Sequence, residues 1–145
     1  MEIVGNDILL SQVAAAVSQG MTVKIRLVGF SMFPFLRNER DNVVLGPFKT
    51  EELKVGDVVL ALCNNTYLLH RIVSVVPNGF MLQGDANVSC EAVIAENVVA
   101  RLLSVERKSG RIVNCDSFPW RFMSFVWRKL TFARRYLLAV LHRIF

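Results

Sequence analysis

The sequence predicts a mainly β protein: a compact, antiparallel β domain preceded by a short helix and followed by a basic amphipathic helix. Three observations carry this. Short runs rich in Val, Ile and Leu recur between residues 22 and 114, separated by Gly, Pro, Asn and Asp and with no helical period between them. The chain has 145 residues and is 53% hydrophobic, enough for one domain with a real core. From residue 118 onward the composition changes, with six Lys or Arg and no acid. The division predicted is a β domain over residues 1–117 and a basic helix over 118–145.

Each element follows from local pattern. Residues 6–19 read as a short helix, capped near Asn6 or Asp7 and ended at Gly20. "TVKIRLVG", residues 22–29, alternates polar and apolar and reads as a half-buried strand. "RNERDN" is a charged turn, "NVVLGPF" a short strand stopped by Gly46 and Pro47, and "EELKVGD" another turn. "DVVLALCNNTYLLHRIVSVV" is a hairpin turning at Asn64 and Asn65. "PNG" turns into the strand "FMLQG", and "ENVVARLLSVERKSGRIVN" forms a strand pair around Ser109 and Gly110.

Composition excludes several classes. The mean hydropathy of +0.41 is high, yet no apolar run reaches the roughly 18 residues that suggest a spanning helix. Glu2 and Asp7 precede the first cation, Lys24, so the start of the chain does not read as a secretory leader. Cys63, Cys90 and Cys115 form no C-x-x-C pair, and with only His70 and His142 beside them no zinc ligand set or other cofactor site is visible. An odd number of thiols favours a reducing, cytoplasmic setting, or one peripheral to a membrane.

In the tail, Arg121, Arg128, Arg135 and His142 recur every seven residues, joined by Lys129 and Arg143. On one helix they form a basic stripe facing Phe122, Phe125, Val126, Leu130, Phe132, Leu137, Leu138, Leu141 and Phe145. A wide apolar face edged only by positive charge predicts peripheral membrane contact through Arg121, Arg128, Lys129 and Arg135, ahead of a helix packed on the β domain. Nucleic acid is not expected, because the aromatics lie opposite the charges rather than among them.

The chemistry concentrates in three stretches. "VGFSMFPFL" holds one hydroxyl, Ser31, in an apolar, proline-stiffened turn. A hydroxyl nucleophile needs a base, and His70 in "LLHRIV" is the histidine of the β region. A catalytic histidine gains from a carboxylate that fixes its tautomer, and "QGDANVSCE" offers Asp85 and Glu91. Pattern alone leaves open which of the two serves.

The ordered set resembles the signal peptidase I type of serine peptidase, the S24/S26 group that also contains the self-cleaving LexA-like repressors. The match runs from about residue 22 to 105. It comprises "SMFP" for the family's S-M-x-P, "RNERDNVVL" for the turn and strand that follow, "LKVGDVVL" for its K-x-G-D-V-V stretch, "HRIV" for the second catalytic box and "GDAN" for the third. With His70 where other branches carry lysine, the chain looks like the Ser–His branch, as in the endoplasmic-reticulum and archaeal signal peptidases. No lysine lies between Lys54 and Lys108. The resemblance implies a signal peptidase/LexA-like β domain and an endopeptidase cutting an extended peptide or protein after small residues. It implies Ser31 as nucleophile, His70 as general base, and Asp85 and Glu91 as the acids of the third box. Ser31's backbone N–H would serve the oxyanion, with Gly29, Phe30 and Met32 lining the groove. Gly29 and Phe30 stand where the family often has Ser and Gly. Such departures, with Glu91 where the branch usually has Asp, give one alternative, a weak or inactive homologue that binds peptides; ranked below it, the LexA-like members of the group suggest a self-cleaving regulator.

Overall fold

Leu10, Val13 and Val17, spaced for one helical face, are almost fully buried and anchor the first helix, α1 (Asp7–Ser18), on a β-sheet. Gly20 ends the helix: its φ of 87° is left-handed, and its N–H donates to the Val17 carbonyl at 2.9 Å. The computed structural model describes residues 7–26, 41–64, 66–86, 90–107, 109–130 and 134–144.

The sheet contains β1 (Val23–Arg26), β2 (Asn42–Gly46), β3 (Val58–Cys63), β4 (Thr66–Val76), β5 (Gly79–Gln83), β6 (Glu91–Ile94), β7 (Val98–Glu106) and β8 (Ile112–Asn114). Their order is β1-β2-β7-β3-β4-β5-β6, with β8 beside β7, and every pairing is antiparallel. The protein is thus mainly antiparallel β, as its short alternating runs predict. Asn64 (φ 51°) and Asn78 (φ 65°) take the left-handed turn conformation that asparagine tolerates, closing the β3–β4 and β4–β5 hairpins. At Gly79 a Cβ would sit 2.1 Å from the Val93 carbonyl oxygen, so glycine is what lets β5 approach β6.

β3 lies inside the sheet and is buried on both faces. Val58 and Leu60 join a cluster with α1, Val43, Leu45, Leu69, Leu102 and Trp120. Val59 and Ala61 join a second cluster with Ile72, Phe80, Leu82 and Val93. The period of two carries this division into β4, setting His70 on the side of Ile72 and Arg71 on the side of Leu69.

Two features depart from the sequence reading. Residues 91–94, given no element above, form a strand, β6. The tail forms two helices, α2 (Phe118–Lys129) and α3 (Arg134–Ile144), rather than one. Pro119 stands in the first turn of α2, where a missing N–H costs nothing. Among the described residues no helix is long and apolar enough to cross a membrane.

Cys115 is buried in the first cluster, and burial pushes its thiol up to about 12, against the opposing pull of Arg71 and Arg101. Alkylation followed by peptide mapping should modify exposed Cys90 in the native protein and reach Cys115 only after unfolding. Native labelling of Cys115 at the rate of Cys90 would contradict this packing.

Candidate active site

Neighbouring residues of β4 serve two sites on opposite faces of the sheet. On one face His70 is 1% exposed, and its Nδ1 is hydrogen-bonded to Glu91 Oε1. β5 bridges the two strands involved: Ile72 of β4 pairs with Leu82, and Leu82 pairs with Glu91 at the start of β6. In the neutral ring that donates from Nδ1–H to the carboxylate, Nε2 is the proton acceptor. That is the form a general base requires.

On the other face Arg71 is fully buried and pairs in bidentate fashion with Asp85. Its Nε donates to Oδ1 at 2.8 Å and its Nη2 to Oδ2 at 2.7 Å, while Asp85 itself is 2% exposed. Arg71 Nη1 donates to the Gly56 carbonyl at 2.9 Å and to Ser124 Oγ at 2.8 Å. The guanidinium lies 5.8 Å from the Trp120 ring centroid. Trp127 Nε1 donates to the Asp85 carbonyl at 2.8 Å, and Ser124 Oγ donates to the Trp120 carbonyl at 2.8 Å. Of the two acids the sequence offers, Glu91 holds the histidine and Asp85 holds the adjacent arginine.

Asp85 thereby joins β4 to α2. The link is reinforced at the turn before β3. Gly56 has φ 101°, and its N–H donates to the Ile72 carbonyl at 2.9 Å, while the Ile72 N–H donates to the Asp57 carbonyl at 2.7 Å. Arg121 Nη2 donates to Asp57 Oδ1 at 2.7 Å and to Asp116 Oδ1 at 2.9 Å. Arg101 Nη2 also reaches Asp116 Oδ1, at 2.5 Å. The hydrogen bond from Arg121, aided by Arg101, holds the Asp116 carboxyl below its usual range. Burial and the nearby Arg71 charge lower the pKa of Arg128.

The surface residues predicted from sequence therefore divide. Arg121 is bound to acids of the β domain, and Arg128 lies close to Gly56, with Nη2 3.8 Å from where a Cβ would stand. Lys129 is exposed, its Nζ 5.3 Å from the Phe125 ring centroid. Arg135 lies on α3, and its side chain is outside the described residues. On α2 the counter-charges of Arg121 come from Asp57 and Asp116, remote in sequence.

Gly29, Phe30, Ser31 and Met32 lie outside the described residues. A cleft of about 430 Å³ between α1 and β7 is lined by Val17, Phe48 and Val98 among others, and, among the described residues, not by His70, Asp85 or Glu91. Among the described residues no group of three or more His, Cys, Asp or Glu is placed to hold a metal ion.

The sequence reading missed the roles of Arg71, Ser124 and Trp127. A signal for Arg71 exists: an arginine inside the apolar run "LLHRIVSVV" must find a buried partner, and "GDAN" supplies one. No family model matches this chain, and no curated protein or solved structure matches it.

Proposed function

We infer that the protein is a serine endopeptidase of the signal peptidase I type, with Ser31 as nucleophile, His70 as general base and Glu91 as the acid that orients His70. The observation that carries this is the buried His70 with Nδ1 bound to Glu91, because a neutral ring donating from Nδ1 keeps Nε2 for accepting a proton. The motif order of "SMFP", "HRIV" and "GDAN" supports it.

In the proposed reaction Nε2 of His70 takes the Ser31 Oγ proton as Oγ bonds to the scissile carbonyl carbon. The Ser31 backbone N–H donates to the resulting oxyanion. Collapse breaks the C–N bond as His70 returns the proton to the departing amine. Water, deprotonated by the same nitrogen, then releases the acyl group and restores Ser31. The Glu91 carboxylate stabilises the imidazolium formed in each half. The substrate is an extended peptide laid along a strand edge, with small residues before the cut. The free thiols of Cys63, Cys90 and Cys115 suit the cytoplasm or the surface of a membrane that faces it.

A peptide library digested by the full chain, beside Ser31→Ala and His70→Ala, tests the reading. Cleavage by the wild type and by neither variant is expected, with small residues preceding the cut sites. A folded wild type that cuts nothing overturns the peptidase reading in favour of a peptide-binding homologue.

A further inference from the structure

We propose that the outward faces of α2 and α3 bind a membrane surface carrying anionic phospholipid. On α2, Phe118, Phe122 and Phe125 are 77%, 51% and 48% exposed and lie on one side of the helix, which ends in exposed Lys129. The Phe118 and Phe122 rings stack with centroids 5.8 Å apart. Exposed Tyr136, Val140 and Arg143 repeat the arrangement on α3 at the same helical spacing. Each stripe is apolar and ends on a cation, the order that lets a long side chain reach headgroups while its neighbours enter the acyl boundary.

The orientation of α2 is set by its other face. Trp120, Ser124 and Trp127 are buried, and Arg121 is tied to Asp57 and Asp116. The helix cannot hide its phenylalanines by rolling without breaking the contacts with Arg71 and Asp85. The helices have 12 and 11 residues, well short of the roughly 20 needed to span, so they lie along the interface.

Charge selects the occupant. Residues 118–145 contain no acid, so an anionic surface meets only cations there. A second copy docked through the same face would bring Lys129 and Arg143 against their own kind. A nucleic acid would need arginines free to reach phosphate, and Arg121 is committed to carboxylates. The inference stands apart from the peptidase reading, since its measurement requires no catalysis.

The test is co-sedimentation of the full chain with vesicles of phosphatidylcholine alone and of phosphatidylcholine mixed with phosphatidylglycerol. Binding to the mixed vesicles is expected, weakening as salt rises. Phe122→Ser combined with Phe125→Ser should lower the partition coefficient by at least about tenfold. Both side chains are exposed, so near-ultraviolet dichroism from buried Trp120 and Trp127 should be retained. Lys129→Glu, at an exposed position, should weaken binding as well. Absent binding, equal binding to neutral vesicles, or full binding by the Phe122/Phe125 variant overturns the proposal. A wild-type dimer in sedimentation velocity that dissociates in that variant overturns it in favour of a second copy.

Discussion

Under the proposed mechanism, Glu91→Gln should lower kcat/KM for a cleaved peptide by about 10²–10⁴-fold, and His70→Ala by at least as much. The two losses arise differently. In that mechanism, removing His70 would leave the Ser31 hydroxyl without its base, whereas an amide in place of the Glu91 carboxylate would donate to Nδ1 and favour the tautomer whose Nε2 carries the proton. Glu91→Gln is nearly isosteric, so the sheet around β6 is retained and the effect is on the reaction rather than the fold. The double variant should be little worse than His70→Ala alone, because the two groups act as one unit. Steady-state kinetics on a peptide identified from the library decides this. Multiplicative losses, or wild-type rates in Glu91→Gln, would mean that the Glu91–His70 bond is only structural.

The second large effect is on stability. Asp85→Ala leaves the Arg71 guanidinium buried without its bidentate partner, and the expected loss is about 3–5 kcal/mol in urea unfolding. Arg71→Met should cost a similar amount, since it strands the Asp85 carboxylate and removes donors to Gly56 and Ser124. Replacing both, Arg71→Met with Asp85→Leu, should cost clearly less than the sum, because no buried charge then lacks a partner. Losses below about 1 kcal/mol in the single variants would place the pair among solvated ion pairs and contradict its burial. Because Ser124 and Trp127 meet this pair from α2, the single variants should also loosen the tail, read as faster hydrogen exchange in α2 than in α1.

Which parts were legible follows from where their information lies. The α1 helix, the β3–β4 hairpin and the β7–β8 pair are written locally, in apolar spacing and in Gly20, Asn64 and Gly110, whose backbones take positive φ. β6 escaped because "EAVI" is four residues long with no strong turn signal on either side. The break between α2 and α3 escaped because residues 130–133 contain neither Gly nor Pro. The partners of Arg121 are not legible from the α2 stripe, because the carboxylates that receive it stand at positions 57 and 116. The choice between Asp85 and Glu91 was present in the pleat: His70 and Arg71 are consecutive, so they face opposite sides and recruit different acids. Chain order alone could not say which acid reaches which side.

The most direct measurement is trapping of the acyl intermediate. The full chain would be incubated with an activated ester of a peptide ending in alanine, quenched in acid, and mapped by mass spectrometry, with His70→Ala alongside. The account predicts an acyl adduct on Ser31 in the wild type and none in the variant. No adduct, an adduct on another residue, or equal acylation of Ser31 without His70 would contradict it.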